Sequence, residues 1–409
     1  MHRGAAFSEF RLLLVASLAL SMLSYITNIF LANAMGPDIF GNYSYALVLG
    51  ALFGQLVFFG TAEMGVRLKI NHGDAALDWI LTLKIVNFGL LLATALVSAL
   101  FRGDALLIFG VIVALNSLCF ATHYEVQGRN VRYAIIFLVE RALITATIWF
   151  GLLVLDASYM IWVFGTLAVF QGGSVAFQYS ENRQYRICLD LRALFIAYKA
   201  GIYVLSFELS KFSFGGITRL LIFNQLGDER LGVFSTAWQF VPLSTLFLAQ
   251  ATKAWRLRIT ECVDSGDTSA VWRHIRALVI VVMLPTLCAT GIFFVVGDRI
   301  IASLFSTEYS DAGQLMPYIG VYFLVIGFDS IVILLAIATS MARYASIIYL
   351  FFGGLTVLAC LFLMEGRGLP AYLVAIVVGH FSATITLAFF TKRSLRRALH
   401  CPRNIAHTS

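Results

Sequence analysis

Phe30–Ala46 reads FLANAMGPDIFGNYSYA, and Leu221–Ala237 reads LIFNQLGDERLGVFSTA. In both, an apolar stretch runs into a glycine with an acidic residue close behind, and then into a second apolar stretch. Glycine and proline break a helix and aspartate favours a turn, so each segment reads as a tight turn between two helices. The two align at an offset of 191 residues. Asn33 falls on Asn224, Gly36 on Gly227, Gly41 on Gly232, Ser44 on Ser235 and Ala46 on Ala237. Asp38 meets Glu229, Phe40 meets Leu231 and Tyr43 meets Phe234. A second echo follows at an offset of 193: Gly73-Asp74 with Trp79 returns as Gly266-Asp267 with Trp272. Chance matching of apolar sequence is the competing explanation. Two turns in the same order at nearly the same spacing point instead to an internal duplication, and so to two similar membrane bundles facing each other.

Composition sets the solvent. The chain is 60% hydrophobic and 12% charged, with a mean hydropathy of +0.87, against about 25% charged residues in a soluble domain. Its apolar stretches have about the 20 residues that a membrane-crossing helix needs, and they lack the alternation of outer-membrane strands. The expected fold is therefore an all-α polytopic membrane protein with about twelve spanning helices in two six-helix lobes. The spans centre near Leu20, Phe53, Leu91, Leu115, Ile144, Val169, Phe212, Val241, Met283, Phe328, Leu355 and Val377. The expected organisation is a lobe over 1–180, a basic connector over 181–200, a second lobe over 201–392 and a basic tail over 393–409. The N-terminal apolar run has the outline of a signal peptide. It leads straight into the duplicated turn, so it is read as a retained helix.

Basic residues test that count. Of the 29 Lys and Arg, 21 fall on the side of the N-terminus and of every second loop, and only Arg102, Arg230, Arg299 and Arg367 fall on the other. This bias places both termini in the cytoplasm and makes the net charge of +7 a topology signal. There is no basic patch with interleaved aromatics of the kind single-stranded nucleic acid needs. The run Arg186–Lys199 is basic and amphipathic and suits the membrane surface. The six cysteines show no CxxC or metal-ligand spacing and read as reduced and structural.

Charges inside the spans carry the functional reading. Each costs about 2.5–3.5 kcal/mol near the bilayer centre, so it faces a cavity or a partner. At 100° per residue, Glu208 and Arg219 lie about 20° apart and Lys211 about 60° from Glu208, with Gly215 in the same arc. The repeat mates of Glu208, Gly215 and Arg219 are Ser17, Ser24 and Asn28, which with Ser21 form a matching polar face on the first span. Both faces fit one central cavity; a buried i,i+3 pair of Glu208 with Lys211 is the plainer alternative. Glu63 and Arg67 form an i,i+4 pair at a helix end, where Arg67 can meet a phosphate or simply pair locally. Lys84 and Arg141 sit about two turns inside, within snorkelling reach. Glu140 and Arg141 point about 100° apart. Asp329 shares its helix face with Tyr318 and Tyr322, without a cation nearby in sequence, and can carry an ion or hydrogen-bond a tyrosine. His380, one turn from Thr384, and His123 read more simply as satisfied core histidines. No catalytic triad, phosphate-cradling loop or HExxH appears, so no catalytic residue, metal or cofactor is expected.

The hairpin Ala32–Tyr43 resembles the first-loop motif of Wzx-type polysaccharide and O-antigen flippases, of the multidrug/oligosaccharidyl-lipid/polysaccharide exporter superfamily. Thr218–Leu221 with Leu231–Phe234 resembles the second-half version, and Leu304–Tyr309 another family segment. Asn33 and Thr218 depart from the family, which often has Arg and Asp there. The resemblance implies a V-shaped pair of six-helix lobes in a bacterial inner membrane. The implied cargo is undecaprenyl-diphosphate-linked oligosaccharide, flipped for O-antigen, capsule or exopolysaccharide synthesis, with the pathway's polymerase and chain-length regulator as partners besides membrane lipid. On this reading Arg219 and Lys211, with Glu208, Asn28, Ser24 and Arg67, meet the diphosphate or sugar, and Asp329 and Glu63 are the ion-coupling candidates. An ion-coupled multidrug exporter of the same superfamily is the nearest rival. A membrane-embedded glycan polymerase or ligase is a second, disfavoured by the lack of a large external loop, and a scaffold role is a third.

Overall fold

The computed structural model describes residues 2–103, 105–154, 159–339, 341–363 and 367–400, and within them every regular element is helical. In chain order the elements are α1 (His2–Phe58), α2 (Thr61–His72), α3 (Ala75–Arg102), α4 (Ala105–Ala114), α5 (Ala121–Val126), α6 (Asn130–Val154), α7 (Tyr159–Glu181) and α8 (Leu191–Phe212). There follow α9 (Thr218–Leu226), α10 (Asp228–Trp238), α11 (Phe240–Asp264), α12 (Thr268–Leu304), α13 (Ser310–Gly313), α14 (Met316–Ala338), α15 (Ala342–Leu363) and α16 (Gly368–His400). A 3₁₀ turn, Leu115–Leu118, continues α4, and a π turn, Ser213–Ile217, joins α8 to α9.

Each of the twelve expected centres lies on one of these elements. Among the described residues ten helices are long and apolar enough to cross a membrane. One of them, Leu18–Phe58, holds two expected spans as arms that meet at Gly36. The eighth expected span, α11, is not among the ten; Lys253, Arg256, Arg258 and Glu261 fall in its second half. Large apolar side chains such as Leu100, Phe101, Val295 and Phe362 stand almost fully exposed. This is the outward face of a multi-pass membrane protein, whose apolar surroundings supply no drive to bury them.

The duplicated turns share a backbone signature. Gly36 and its mate Gly227 have φ of 72° and 89°, and Gly73 and its mate Gly266 have 69° and 73°. Only glycine enters this left-handed region without strain. The second pair opens α3 and α12, and Asp267 caps α12 by accepting from Ala270 N at 2.9 Å.

The chain divides into two compact units. Unit 1 comprises 1–212 and 222–232, and unit 2 comprises 213–221 and 233–409. The boundary falls inside the helix expected to open the second lobe. α8 belongs to unit 1 because Gly201 lets its backbone meet the end of α1's second arm: a Cβ at Gly201 would lie 2.0 Å from the Phe59 carbonyl oxygen. The core around α2, α3 and α5 is built from Leu68, Leu77, Ile80, Phe120 and Tyr124.

Unit 1 also holds both repeat tips against each other. A Cβ at Gly41 would lie 1.9 Å from the Asp228 carbonyl oxygen, and one at Gly232 would lie 2.0 Å from that of Pro37. Asp228 and Pro37 are themselves repeat mates at the offset of 191, so the contact is reciprocal. Asn42 adds a 2.9 Å hydrogen bond to Asp228 Oδ2, and Tyr45 stacks on Phe223 with ring centroids 4.0 Å apart. Gly41→Ala is expected to lower the unfolding temperature of the detergent-solubilised protein, because overpacking costs about 1–3 kcal/mol. Gly89→Ala, with open space around it, is expected to leave it level or raise it, as alanine gains up to about 1 kcal/mol in a helix. Scanning fluorimetry on the two variants checks both.

Candidate functional site

Unit 2 contains a buried ionisable cluster built from three helices. Asp329 on α14 is 4% exposed and His380 on α16 is 6% exposed. Asp329 Oδ1 accepts from the hydroxyl of Tyr349 on α15 and, at 3.0 Å, from Thr384 Oγ1 one turn beyond His380. Thr384 has a single hydrogen and a second acceptor in reach, its own-helix His380 carbonyl at 2.9 Å. His380 Nε2 approaches Asp329 Oδ2 to 3.3 Å. That distance is within ion-pair range but off the hydrogen-bond line, so Nε2 makes no aligned hydrogen bond. Nδ1 lies 3.1 Å from the Tyr322 hydroxyl. Phe214, in the π turn, stacks on the imidazole with centroids 4.6 Å apart and an interplanar angle of 11°. Close packing of α15 and α16 makes the arrangement rigid: at Gly379 a Cβ would lie 1.8 Å from Thr356 Oγ1.

The geometry fixes the proton arithmetic. With one proton shared between Asp329 and His380, the pair is either an ion pair or two neutral groups, and in both forms the buried charge is balanced. Removing that proton leaves a bare carboxylate held by two hydroxyl donors. A charge left uncompensated in a dry interior is expensive.

Arg219 lies in the same unit. Its Nε donates to the Gly215 carbonyl at 2.9 Å, and its guanidinium lies 5.8 Å from the Trp238 ring. Gly215 makes the room, since a Cβ there would lie 2.4 Å from Trp238. Trp238 packs in turn on Tyr322, so aromatic contacts link Arg219 to the ionisable cluster. Arg219 is half-buried and, among the described residues, has no carboxylate in ion-pair range.

The α period that the face from Glu208 through Arg219 assumes is interrupted by the π turn Ser213–Ile217. Glu208 and Lys211 lie in unit 1 and Arg219 in unit 2. No ion pair joins Glu208 to Lys211; the Lys211 ammonium lies 5.4 Å from the Phe207 ring. Asn28 and Ser24 sit half-buried on α1, and Asn28 Oδ1 accepts from Tyr43 OH at 3.3 Å. The side chains of Ser17, Glu63 and Arg67 lie outside the described residues. Lys84 does not snorkel: it is 1% exposed. Arg141 is half-buried over Phe137 at 6.0 Å, while Glu140 is buried. Among the described residues no group of three or more His, Cys, Asp or Glu could hold a metal ion.

No protein-family model matches the chain, and no curated protein matches it. Solved structures do. One described as the inward-facing conformation of a multidrug resistance MATE family transporter of the MOP superfamily has a TM-score of 0.64 at 13% identity, covering 94% of both chains. The outward-facing conformation of a transporter described in the same terms has a TM-score of 0.61 at 12% identity, covering 95% of this chain and 96% of that one. A MOP superfamily transporter from Pyrococcus furiosus, described as having a binding pocket of reversed polarity that suggests a different function, has the same TM-score, identity and coverage. The chain has the fold of MOP-superfamily transporters. In that MOP-type fold the aspartate-histidine cluster is the most heavily built ionisable site among the described residues. Tyr349→Phe would remove one of the two hydroxyls on Asp329 Oδ1, and an acceptor left short of a buried partner costs about 1–3 kcal/mol. The variant is expected to unfold earlier on heating, with Tyr344→Phe, on the exposed face of the same helix, as the unchanged control.

Proposed function

We propose that this protein is an ion-coupled membrane transporter that works by alternating access, with the Asp329–His380 pair as its coupling site. The observation that carries this reading is the pair itself. A carboxylate and an imidazole share a dry interior, where one bound proton decides whether the buried charge is balanced. Three helices converge on that proton, so binding or losing it alters how α14, α15 and α16 are held together. An imidazole nitrogen 3.3 Å from the carboxylate suits a shared proton as the coupling species.

For the cargo, the structural likeness to multidrug resistance transporters supports export of amphipathic compounds. A second cargo, undecaprenyl-diphosphate-linked oligosaccharide, is favoured by two specific features. Arg219 carries its charge on a half-buried aromatic shelf with no acid in ion-pair range among the described residues, which suits an anionic phosphate headgroup. The hairpin Ala32–Tyr43 resembles that of Wzx-type flippases. On this reading the membrane is the bacterial inner membrane, both termini are cytoplasmic, and the pathway's polymerase and chain-length regulator are the partners.

Asp329→Asn keeps the shape of the site and removes its charge. In proteoliposomes with an imposed pH gradient, gradient-driven transport is expected to fall at least about tenfold, the effect of losing about 1.4 kcal/mol, while the protein remains folded. Unchanged transport would remove the coupling assignment. The cargo is decided separately in a deletion strain. Trapped undecaprenyl-diphosphate oligosaccharide with loss of surface glycan, reproduced by Arg219→Ala, marks a flippase. Normal glycan with heightened dye retention marks a drug exporter.

A further inference from the structure

The fourth span is broken inside unit 1. α4 passes into the 3₁₀ turn Leu115–Leu118, then Cys119 takes an extended conformation with φ −55° and ψ 154°, and α5 starts afresh at Ala121. Such a break leaves peptide groups without helical partners, and Cys119 and Phe120 are both buried away from water. One of them, the Cys119–Phe120 peptide, is held at both poles by side chains. Lys84 Nζ donates to the Cys119 carbonyl at 2.8 Å, and the Phe120 N–H donates to Gln178 Oε1 at 2.9 Å. Lys84 is 1% exposed, and its ammonium also lies 4.7 Å from the ring of Phe58, the last residue of α1. No carboxylate pairs with it among the described residues. His123, also 1% exposed, has Nε2 3.2 Å from the Leu77 carbonyl and an Nδ1 with no hydrogen-bond partner. Tyr133 donates to Cys119 Sγ at 3.3 Å.

A carbonyl at the C-terminal end of an interrupted helix, with an aromatic ring at the same ammonium, is a donor set for a small monovalent cation. Helix ends of this polarity attract positive charge, unwound carbonyls in broken membrane helices coordinate cations, and ring faces bind ammonium. We propose that the break in the fourth span is a monovalent-cation site, filled by the protein's own Lys84 ammonium. The lysine is an ion on a tether. It neutralises the end of the 3₁₀ turn and ties α3 to the broken span. Unit 1 thereby has in its own sequence the charge that an ion from solution would otherwise supply. The proposal does not depend on the transport reading.

Removing the tethered ion should leave a site that a free one can fill. Lys84→Ala in the full-length protein is expected to unfold at a lower temperature, and methylammonium chloride is expected to restore it in a dose-dependent way. Choline chloride at equal ionic strength is too large for the vacated space and should not. Lys84→Met fills that space without charge, so it should be destabilised and respond to neither salt. A site-resolved readout is maleimide labelling of Cys119, buried in the wild type and read peptide by peptide. Labelling should rise several-fold in Lys84→Ala and fall back with methylammonium. Equal responses to methylammonium and choline would overturn the proposal, as would a Lys84→Met variant as stable as the wild type. The Met comparison stands even where the Ala variant is too unstable to purify.

Discussion

Two carbonyl oxygens set against two glycine α-carbons join the repeat tips of unit 1. Gly41 takes the Asp228 carbonyl and Gly232 takes that of Pro37, at separations where any side chain would overlap backbone. An approach this close between helical segments allows Cα–H···O contacts, each worth perhaps 0.5–1 kcal/mol. In lipid this matters more than in water. The hydrophobic effect does not press helices together there, and dispersion and close fit must do the work. The Asn42–Asp228 hydrogen bond and the Tyr45–Phe223 stack are possible only because the two backbones have already met. The tip 222–232 is thereby counted with unit 1 although both of its flanking segments run into unit 2.

Much of this was legible in the sequence because it rests on local rules. A glycine flanked by apolar helix and followed by an acidic residue states its turn, and Gly36, Gly73, Gly227 and Gly266 all adopt the left-handed backbone that such turns use. The alignment that named Gly41 and Gly232 as mates gave no sign that each meets the backbone of the other tip. Helical periodicity, by contrast, misled at the seventh span. The 100° rule assumes an unbroken α-helix, and Ser213–Ile217 is a π turn. The adjacent Gly215-Gly216 was the available signal, since Gly and Ser pairs are where helices depart from regularity. The supposed polar face from Glu208 to Arg219 assumes the period that this turn interrupts.

The ionisable cluster was half visible. Asp329, Tyr322, His380 and Thr384 drew attention individually, as polar residues in apolar helices do. Their assembly was not readable, because it depends on contacts between helices up to 58 residues apart in the chain. Tyr349 gave no signal at all within the run Ile347–Phe352, where an aromatic is ordinary. Tyr318 shows the converse. It shares a helix with Asp329, yet the structure gives its place beside the acid to Tyr349 and Thr384 from neighbouring helices.

Unit 1 and unit 2 handle buried charge in opposite ways, and that contrast constrains mechanism. Asp329 and His380 set a carboxylate beside an imidazole, with the hydroxyls of Tyr349 and Thr384 on Oδ1. Lys84 meets a backbone carbonyl and an aromatic face, groups that do not titrate, and its stem ties the charge to α3. A charge that has to move with each cycle is served by the first arrangement, and a charge that has to stay by the second. On the proposed reading, coupling through the Asp329–His380 pair asks little of unit 1 beyond the close packing that the tethered ammonium and the glycine contacts of the repeat tips supply.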